Sequence, residues 1–397
     1  MGTKMRLGTM MFLQYAIWGA WWPVMSEYMR TNLGFSGIEQ GVIYSLLPLA
    51  TIIAPFIGGQ FADRYFNSQN VIAFLQLTGG ILLVIVSRVT DYTLMMWLLL
   101  VYCLFYAPTM ALTNSVAMIN LEKSEEEFGR IRVWGTIGWI VAGLILSGIR
   151  IVIGEDIMGD MLLLAGIFSI IMGFQAFTLP KTPPNKEGTS PFAFLEALKM
   201  MKDKNFLIFI IICFVVATEL MFYYALTGPF LVDIGVLTKN LPIVMTVAQA
   251  AEILVLAFLL PIMIKKYSIR TTLVWGVLAW PVRYIIFAIG KPLWLVVASL
   301  TLHGFCFVFF FVAAFIYVDK VAPKDIRHSA QSLITLVTYG LGMYVGSLFA
   351  GWIQSYFTQD AVTNWTNVFL VPCALTILCA LAFLFFFRSE EKQEQAV

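Results

Sequence analysis

The sequence predicts an all-α polytopic membrane protein, twelve transmembrane helices in two halves of six. Three observations predict it. Of 397 residues, 60% are hydrophobic and 12% charged, about half the charged share of a soluble domain. Apolar runs long enough to cross a bilayer as helices recur about twelve times. A single long polar interruption, within 181–205, leaves six runs on either side.

The first half, 1–180, holds spans near 7–28, 40–61, 71–88, 94–119, 131–153 and 158–179. The first carries Gln14, Trp18, Trp21 and Trp22, an amide among aromatic rings; the last two also suit anchors at the lipid–water interface. The second ends at Gly58-Gly-Gln-Phe-Ala-Asp63-Arg64, and the fourth carries Tyr106, Pro108, Thr109 and Asn114. A polar linker over 181–205, rich in Pro and Lys, is expected to be cytoplasmic, its 192–204 stretch reading as a short amphipathic surface helix. The second half, 206–388, holds spans near 206–232, 241–264, 271–289, 293–318, 329–353 and 368–388. Prolines inside spans are tolerated where neighbours satisfy the freed backbone groups. Gly340, Gly342, Gly346 and Gly351 of the eleventh span suit close helix packing. A polar tail, 389–397, closes the chain and reads as disordered.

Charge sets the expected orientation. With both termini in the cytoplasm, the inner loops hold about eighteen Lys and Arg and the outer loops about five, a strong positive-inside bias. The five cysteines all fall in apolar segments without metal-ligand spacing, and the two histidines, His303 and His328, do not suggest a metal centre. No His-Glu-x-x-His, Gly-x-Ser-x-Gly or phosphate-binding Gly-x-x-x-x-Gly-Lys-Ser/Thr motif occurs. An enzyme is therefore not expected, nor are ATP, a cofactor, a nucleic acid or an obligate protein partner. The expected partners are the bilayer, a small-molecule substrate and protons.

The stretch Arg130-Ile-Arg132-Val-Trp-Gly-Thr136-Ile-Gly-Trp139 is the most informative. Arg132 stands at or inside a span, where a cation costs a few kcal/mol unless it faces protein or water. Arg132, Thr136 and Trp139 share a helix face, combining a fork of donors, a hydroxyl and an aromatic surface. The competing reading is an arginine that snorkels to the interface. Gln249 and Glu252 share a face of the eighth span. An amide can read hydroxyls and heterocycle edges, and an intramembrane acid can exchange a proton; a structural pairing of Glu252, for example with Arg283, is the alternative. Glu219, with Tyr223 and Tyr224 close by, is a second intramembrane acid, suited to protonation or to holding a helix. His303 and Phe307 share a face of the tenth span, where a lone histidine is more often structural.

Two six-helix halves joined by a cytoplasmic linker resemble the major facilitator superfamily, and Gly-x-x-x-Asp63-Arg64 resembles its loop signature, a candidate gate. Phe12-Leu13-Gln14 with Trp18, Tyr106-x-Pro108-Thr109, the Arg132 stretch, Gln249-x-x-Glu252 and Ser329-Ala330-Gln331 together resemble the bacterial nucleoside:proton symporters of that superfamily. The resemblance implies a nucleoside site between the halves, with Arg132, Thr136, Gln249 and Glu252 at matching positions and Trp139 and Phe307 where the family has aromatics. Gln14 and Tyr224 complete the expected substrate-binding set. The chain departs from the family where Met221 and Tyr224 replace amides and Val308 replaces an acid, which moves the expected proton site to Glu252 or Glu219. The expectation is proton-coupled import of nucleosides across a bacterial inner membrane by alternating access. The alternatives are a sugar or glycoside carrier on the same scaffold and, from another class, a membrane sensor without transport.

Overall fold

A computed structural model describes residues 2–57, 66–154, 158–183, 192 and 194–387, the side chains of 56–57 and 124–126 excepted. The Asp63–Arg64 loop and the tail from 388 lie outside the described residues. Among the described residues twelve long helices follow one another: α1 Thr3–Trp21, α2 Gly37–Ile57, α3 Ser68–Val86, α4 Tyr92–Ile119, α5 Ser124–Ile153, α6 Asp160–Ala176 and α7 Lys204–Asp233. They continue with α8 Thr238–Lys266, α9 Ile269–Ile289, α10 Leu293–Val321, α11 Arg327–Tyr356 and α12 Trp365–Phe386. Ten of these helices are long and apolar enough to cross a membrane. The protein is a multi-pass membrane protein.

Local chemistry explains the ends. Asp91 and Asn364 accept hydrogen bonds from the backbone N–H groups of Leu94 and Asn367 at 2.8 and 3.1 Å, capping α4 and α12. Gly154 and Gly290 end α5 and α9 with φ of 84° and 69°, where a side chain would be strained. The first expected span is shorter than it reads, because Pro23 interrupts it and a separate helix, Met25–Thr31, follows. In the linker a one-turn α-helix, Phe194–Ala197, runs directly into a 3-10 helix, Leu198–Lys202. Three π-helical segments, Val255–Leu259, Phe307–Val312 and Leu336–Gly342, widen α8, α10 and α11. Such wide turns are rare and recur at functional sites.

By contact the chain forms two compact units. The first contains Met1–Pro191, Tyr223–Gln249 and Ser347–Tyr356. The second contains Phe192–Phe222, Ala250–Gly346 and Phe357–Val397.

In the first unit α1 and α5 cross at backbone contact. A Cβ on Gly138 would collide with the carbonyl of Phe12, and one on Gly19 would lie 2.6 Å from Trp139. Gln14 is fully buried behind this crossing. Its side-chain amide donates to Thr109 at 3.0 Å and accepts from Gln76, also at 3.0 Å, while the Tyr106 hydroxyl donates to the Gln14 backbone carbonyl at 2.5 Å. The Ser169 hydroxyl donates to Gln76 Oε1 at 2.6 Å. One polar knot thus fastens α1, α3, α4 and α6. Trp21 and Trp22, weighed as interface anchors, are instead buried, 1% and 0% exposed. Tyr44 donates to the Trp22 carbonyl at 2.6 Å and stacks edge-on against its ring.

Gly138→Ala is expected to destabilise the protein by about 1–3 kcal/mol, since overpacking a close crossing forces the helices apart. Gly148 on the same helix has nothing within 4 Å of an added Cβ, so Gly148→Ala should be neutral or stabilising by about 0.5–1 kcal/mol. Thermal unfolding of the two variants in detergent checks the contrast.

At the end where α1 turns into α2, ion pairs fasten the first unit. Arg30 donates twice to Asp233, both at 2.8 Å, and to Glu27 at 3.0 and 3.2 Å. Arg150 grips Asp160 through two bonds of 2.7 and 2.8 Å and reaches the Thr238 carbonyl at 3.2 Å. Beside them α2 meets α11 with little between the backbones. A Cβ on Gly41 would lie 2.7 Å from the Ser347 carbonyl, and Ser355 accepts from the Ile38 N–H at 3.0 Å.

In the second unit glycines serve the same purpose. A Cβ on Gly342 would lie 2.6 Å from Ala217, and one on Gly346 would meet the backbone of Thr218, so α7 and α11 touch. A Cβ on Gly304 would lie 2.8 Å from the Ala251 carbonyl, bringing α10 against α8.

Candidate substrate and proton sites

The Arg132 face is built by α1 and α5. Because Gly135 has no side chain, the Tyr15 ring and the Arg132 guanidinium share the space beside it; an added Cβ would lie 2.6 and 2.8 Å from them. The guanidinium lies over the Tyr15 ring at 3.8 Å from its centroid, a cation–π contact. Arg132 is half-buried. Among the described residues it has no carboxylate partner and makes no hydrogen bond. One turn on, half-buried Thr136 likewise makes no side-chain hydrogen bond among the described residues. Trp139 follows, 7% exposed, its ring edge-on to Trp18 at 5.3 Å.

The same helix then meets α8 in a regular seam. Arg150 bonds the Thr238 carbonyl, Ser147 accepts from the Ile243 N–H at 3.0 Å, and Gly143 leaves room for Thr246 at 2.7 Å from where its Cβ would stand. The contacts climb the two helices in opposite senses, because α5 and α8 run antiparallel here. The next turn holds Trp139 on α5 and Gln249 on α8. Gln249 is 5% exposed, and its Oε1 is buried without a hydrogen-bond partner. That is an acceptor left open, an arrangement that costs free energy unless a ligand or water fills it. Tyr224, 8% exposed, packs edge-on to Trp22 and Tyr223 at 6.1 and 5.3 Å.

Arg132, Thr136, Trp139, Gln14, Tyr224 and Gln249 thus belong to the first unit. Gln14 acts there through the polar knot that uses both ends of its amide. Glu252, Glu219 and Phe307 belong to the second. Glu252 is half-buried one turn beyond Gln249, its backbone against Gly304. Phe307 stacks on His303 at 5.6 Å. Glu219 is fully buried. Met221 and Val308, where the family resemblance leads one to expect polar groups, are 0% exposed. Tyr15 escaped the sequence reading. Its signal was the spacing from Trp18, three residues on the same face.

A family model described as nucleoside H+ symporter matches residues 1–392. YegT of Escherichia coli (strain K12) is 35% identical, over 100% of this chain and 96% of its own length. The xanthosine permease of the same organism is 31% identical, over 100% and 98%. The crystal structure of the nucleoside transporter NupG superposes with a TM-score of 0.88 at 27% identity, covering 98% of this chain and 100% of that one. The fold is that of the major facilitator superfamily.

Proposed function

The chain belongs to the nucleoside H+ symporter family, and from that premise we propose that this transporter takes up nucleosides together with protons by alternating access. The membrane we assign is the bacterial inner membrane, with both termini in the cytoplasm, on the positive-inside distribution of Lys and Arg.

The observation that carries the substrate class is the Arg132 face. A cation half-buried in a membrane helix, resting on an aromatic ring and with no carboxylate among the described residues, has donors to give to a neutral, oxygen-rich solute. Thr136 adds a hydroxyl, and Trp18 and Trp139 add π-surface for a heterocycle. Gln249 offers an open acceptor for a base N–H or a ribose hydroxyl. A nucleoside base can lay its π-face on the Trp18 and Trp139 rings, whereas a sugar offers them only C–H groups. Glu252 and Phe307 extend the proposed contact set, and Tyr224 shapes it. The Asp63–Arg64 loop is proposed as a gate on its motif alone. Either Glu252 or Glu219 carries the proton, since Val308 leaves the tenth helix without an acid at that position. The proposed units of motion are the halves 1–180 and 206–388, joined by the 181–205 linker, with 389–397 as a tail.

The test is uptake of radiolabelled uridine, adenosine and xanthosine into proteoliposomes, with and without an inward proton gradient. Accumulation driven by the gradient, and competed by nucleosides but not by free ribose, is expected. Competition by free ribose at similar concentration points to the sugar carrier, and uptake indifferent to the gradient refutes symport.

A further inference from the structure

Three ionisable side chains, Glu219 on α7, Arg283 on α9 and His303 on α10, are each 0% exposed and lie within the second unit. Their geometry is specific. Arg283 Nη1 lies 3.3 Å from His303 Nδ1. A guanidinium carries only donors, so the imidazole accepts there. The guanidinium is clamped over Trp280 at 4.5 Å and Tyr284 at 5.3 Å. The Tyr284 hydroxyl donates to the Glu219 backbone carbonyl at 2.6 Å, tying α7 to α9 one residue from the arginine. On its other side α7 is held by Gly342 and Gly346 of α11.

The Glu219 carboxylate stands apart from this order. Both its oxygens are buried and neither has a hydrogen-bond partner. The groups that feel it are Arg283, the Tyr284 hydroxyl and the thiols of Cys306, Cys373 and Cys379, from α9, α10 and α12. Arg283 is thus the fixed cation against which its charge is balanced. A buried carboxylate without hydrogen bonds is costly for a purely structural pair, which would need its lone pairs satisfied. The alternative is a carboxylate whose open acceptor sites receive a proton.

We infer that Glu219 binds and releases the transported proton, with Arg283 and His303 as positioning residues; this rests on the symport reading above. With Glu219 ionised, its charge and that of Arg283 cancel. When a proton from water binds a Glu219 oxygen, a carboxylic acid forms and the attraction between Glu219 and Arg283 is lost, so the hold of Arg283 shifts toward His303. Through the ring stacked on it, that imidazole bears on Phe307, the first residue of the π-helical segment Phe307–Val312. Proton binding is thereby coupled to a helix that carries a proposed substrate contact. Release of the proton from the same oxygen restores the starting charges.

The experiment uses the full chain in proteoliposomes containing a pH dye, reading proton entry driven by added nucleoside alongside radiolabelled exchange without a gradient. In Glu219→Gln, exchange persists, nucleoside-driven proton entry is lost, and accumulation falls to the level of the external solution. Glu219→Asp restores part of the proton entry. Glu252→Gln raises KM yet keeps the proton-to-solute ratio. Glu219→Gln that still moves protons at the parental ratio, or Glu252→Gln that alone uncouples, overturns the inference. If Glu219→Gln does not fold, Glu219→Gln with Arg283→Met removes both buried charges and is read the same way. The unmodified protein supplies a further readout. A hydrophobic carbodiimide, which attacks protonated carboxyls, is expected to label Glu219 and to stop proton entry in proportion; full proton entry with Glu219 labelled, or no labelling at any pH, refutes it. Absence of nucleoside-driven proton entry in the parent protein would instead refute symport itself.

Discussion

Arg132→Ala should raise the KM for nucleoside by about ten- to a hundredfold while costing the protein less than about 2 kcal/mol of stability. The first half follows from chemistry. A hydrogen bond to a charged group is worth about 1.5–3 kcal/mol, and about 1.4 kcal/mol is a factor of ten in affinity. The second half follows from the environment. Arg132 has no carboxylate to strand among the described residues, so its removal forfeits only the contact with Tyr15, worth about 0.5–2 kcal/mol. Loss of a desolvated charge offsets part of that. Arg132→Lys should not restore the parent KM, because an ammonium lacks the flat guanidinium that covers a ring and offers paired donors. Uptake kinetics and thermal unfolding, measured on the same preparations, separate the two halves. A large drop in melting temperature with unchanged KM would make Arg132 a structural residue of the α1–α5 crossing.

This contrast marks what the sequence reveals and what it conceals. The helices are legible because a bilayer demands long apolar runs, and Arg132 is legible because a cation inside one is conspicuous. The partner that supports it is not. Tyr15 reaches the guanidinium only because Gly135 opens the space, a fact of helix crossing rather than of composition. Gln14 illustrates the opposite limit. An amide in a first span reads as a substrate ligand, yet which groups satisfy it depends on two other helices, and here Thr109 and Gln76 do. Trp21 and Trp22 look like interface anchors until Tyr44 and Tyr102 are seen to enclose them. The π-helical segments leave no local signature, since each falls in a mostly apolar run where the phase shift of a wide turn displaces few polar groups. Arg150 reads as one of about five outer-loop charges, but it is only 5% exposed.

That burial gives the largest expected stability effect. Arg150→Met should destabilise the protein by about 3–5 kcal/mol, because removing one member of a buried pair leaves the other charge uncompensated. Asp160 is 6% exposed and would keep only the Met161 N–H, at 2.7 Å, as a described hydrogen-bond donor. The double variant Arg150→Met with Asp160→Leu should recover most of the loss, since replacing both charges by packed apolar groups is often neutral or better. The recovery should be incomplete in one respect. Arg150 also donates to the Thr238 carbonyl at 3.2 Å, the first rung of the seam between α5 and α8. The double variant breaks that rung while keeping the apolar packing. It should therefore unfold at nearly the parental temperature yet open this end of the first unit more readily, measurable as faster labelling of a cysteine placed at Thr238. In the alternating-access cycle proposed above that seam parts and re-forms, so its rungs are expected to set how long this end stays shut. Equal destabilisation in the single and double variants would mean that the Arg150–Asp160 pair is not the counter-charge arrangement described, and that the seam is held from elsewhere.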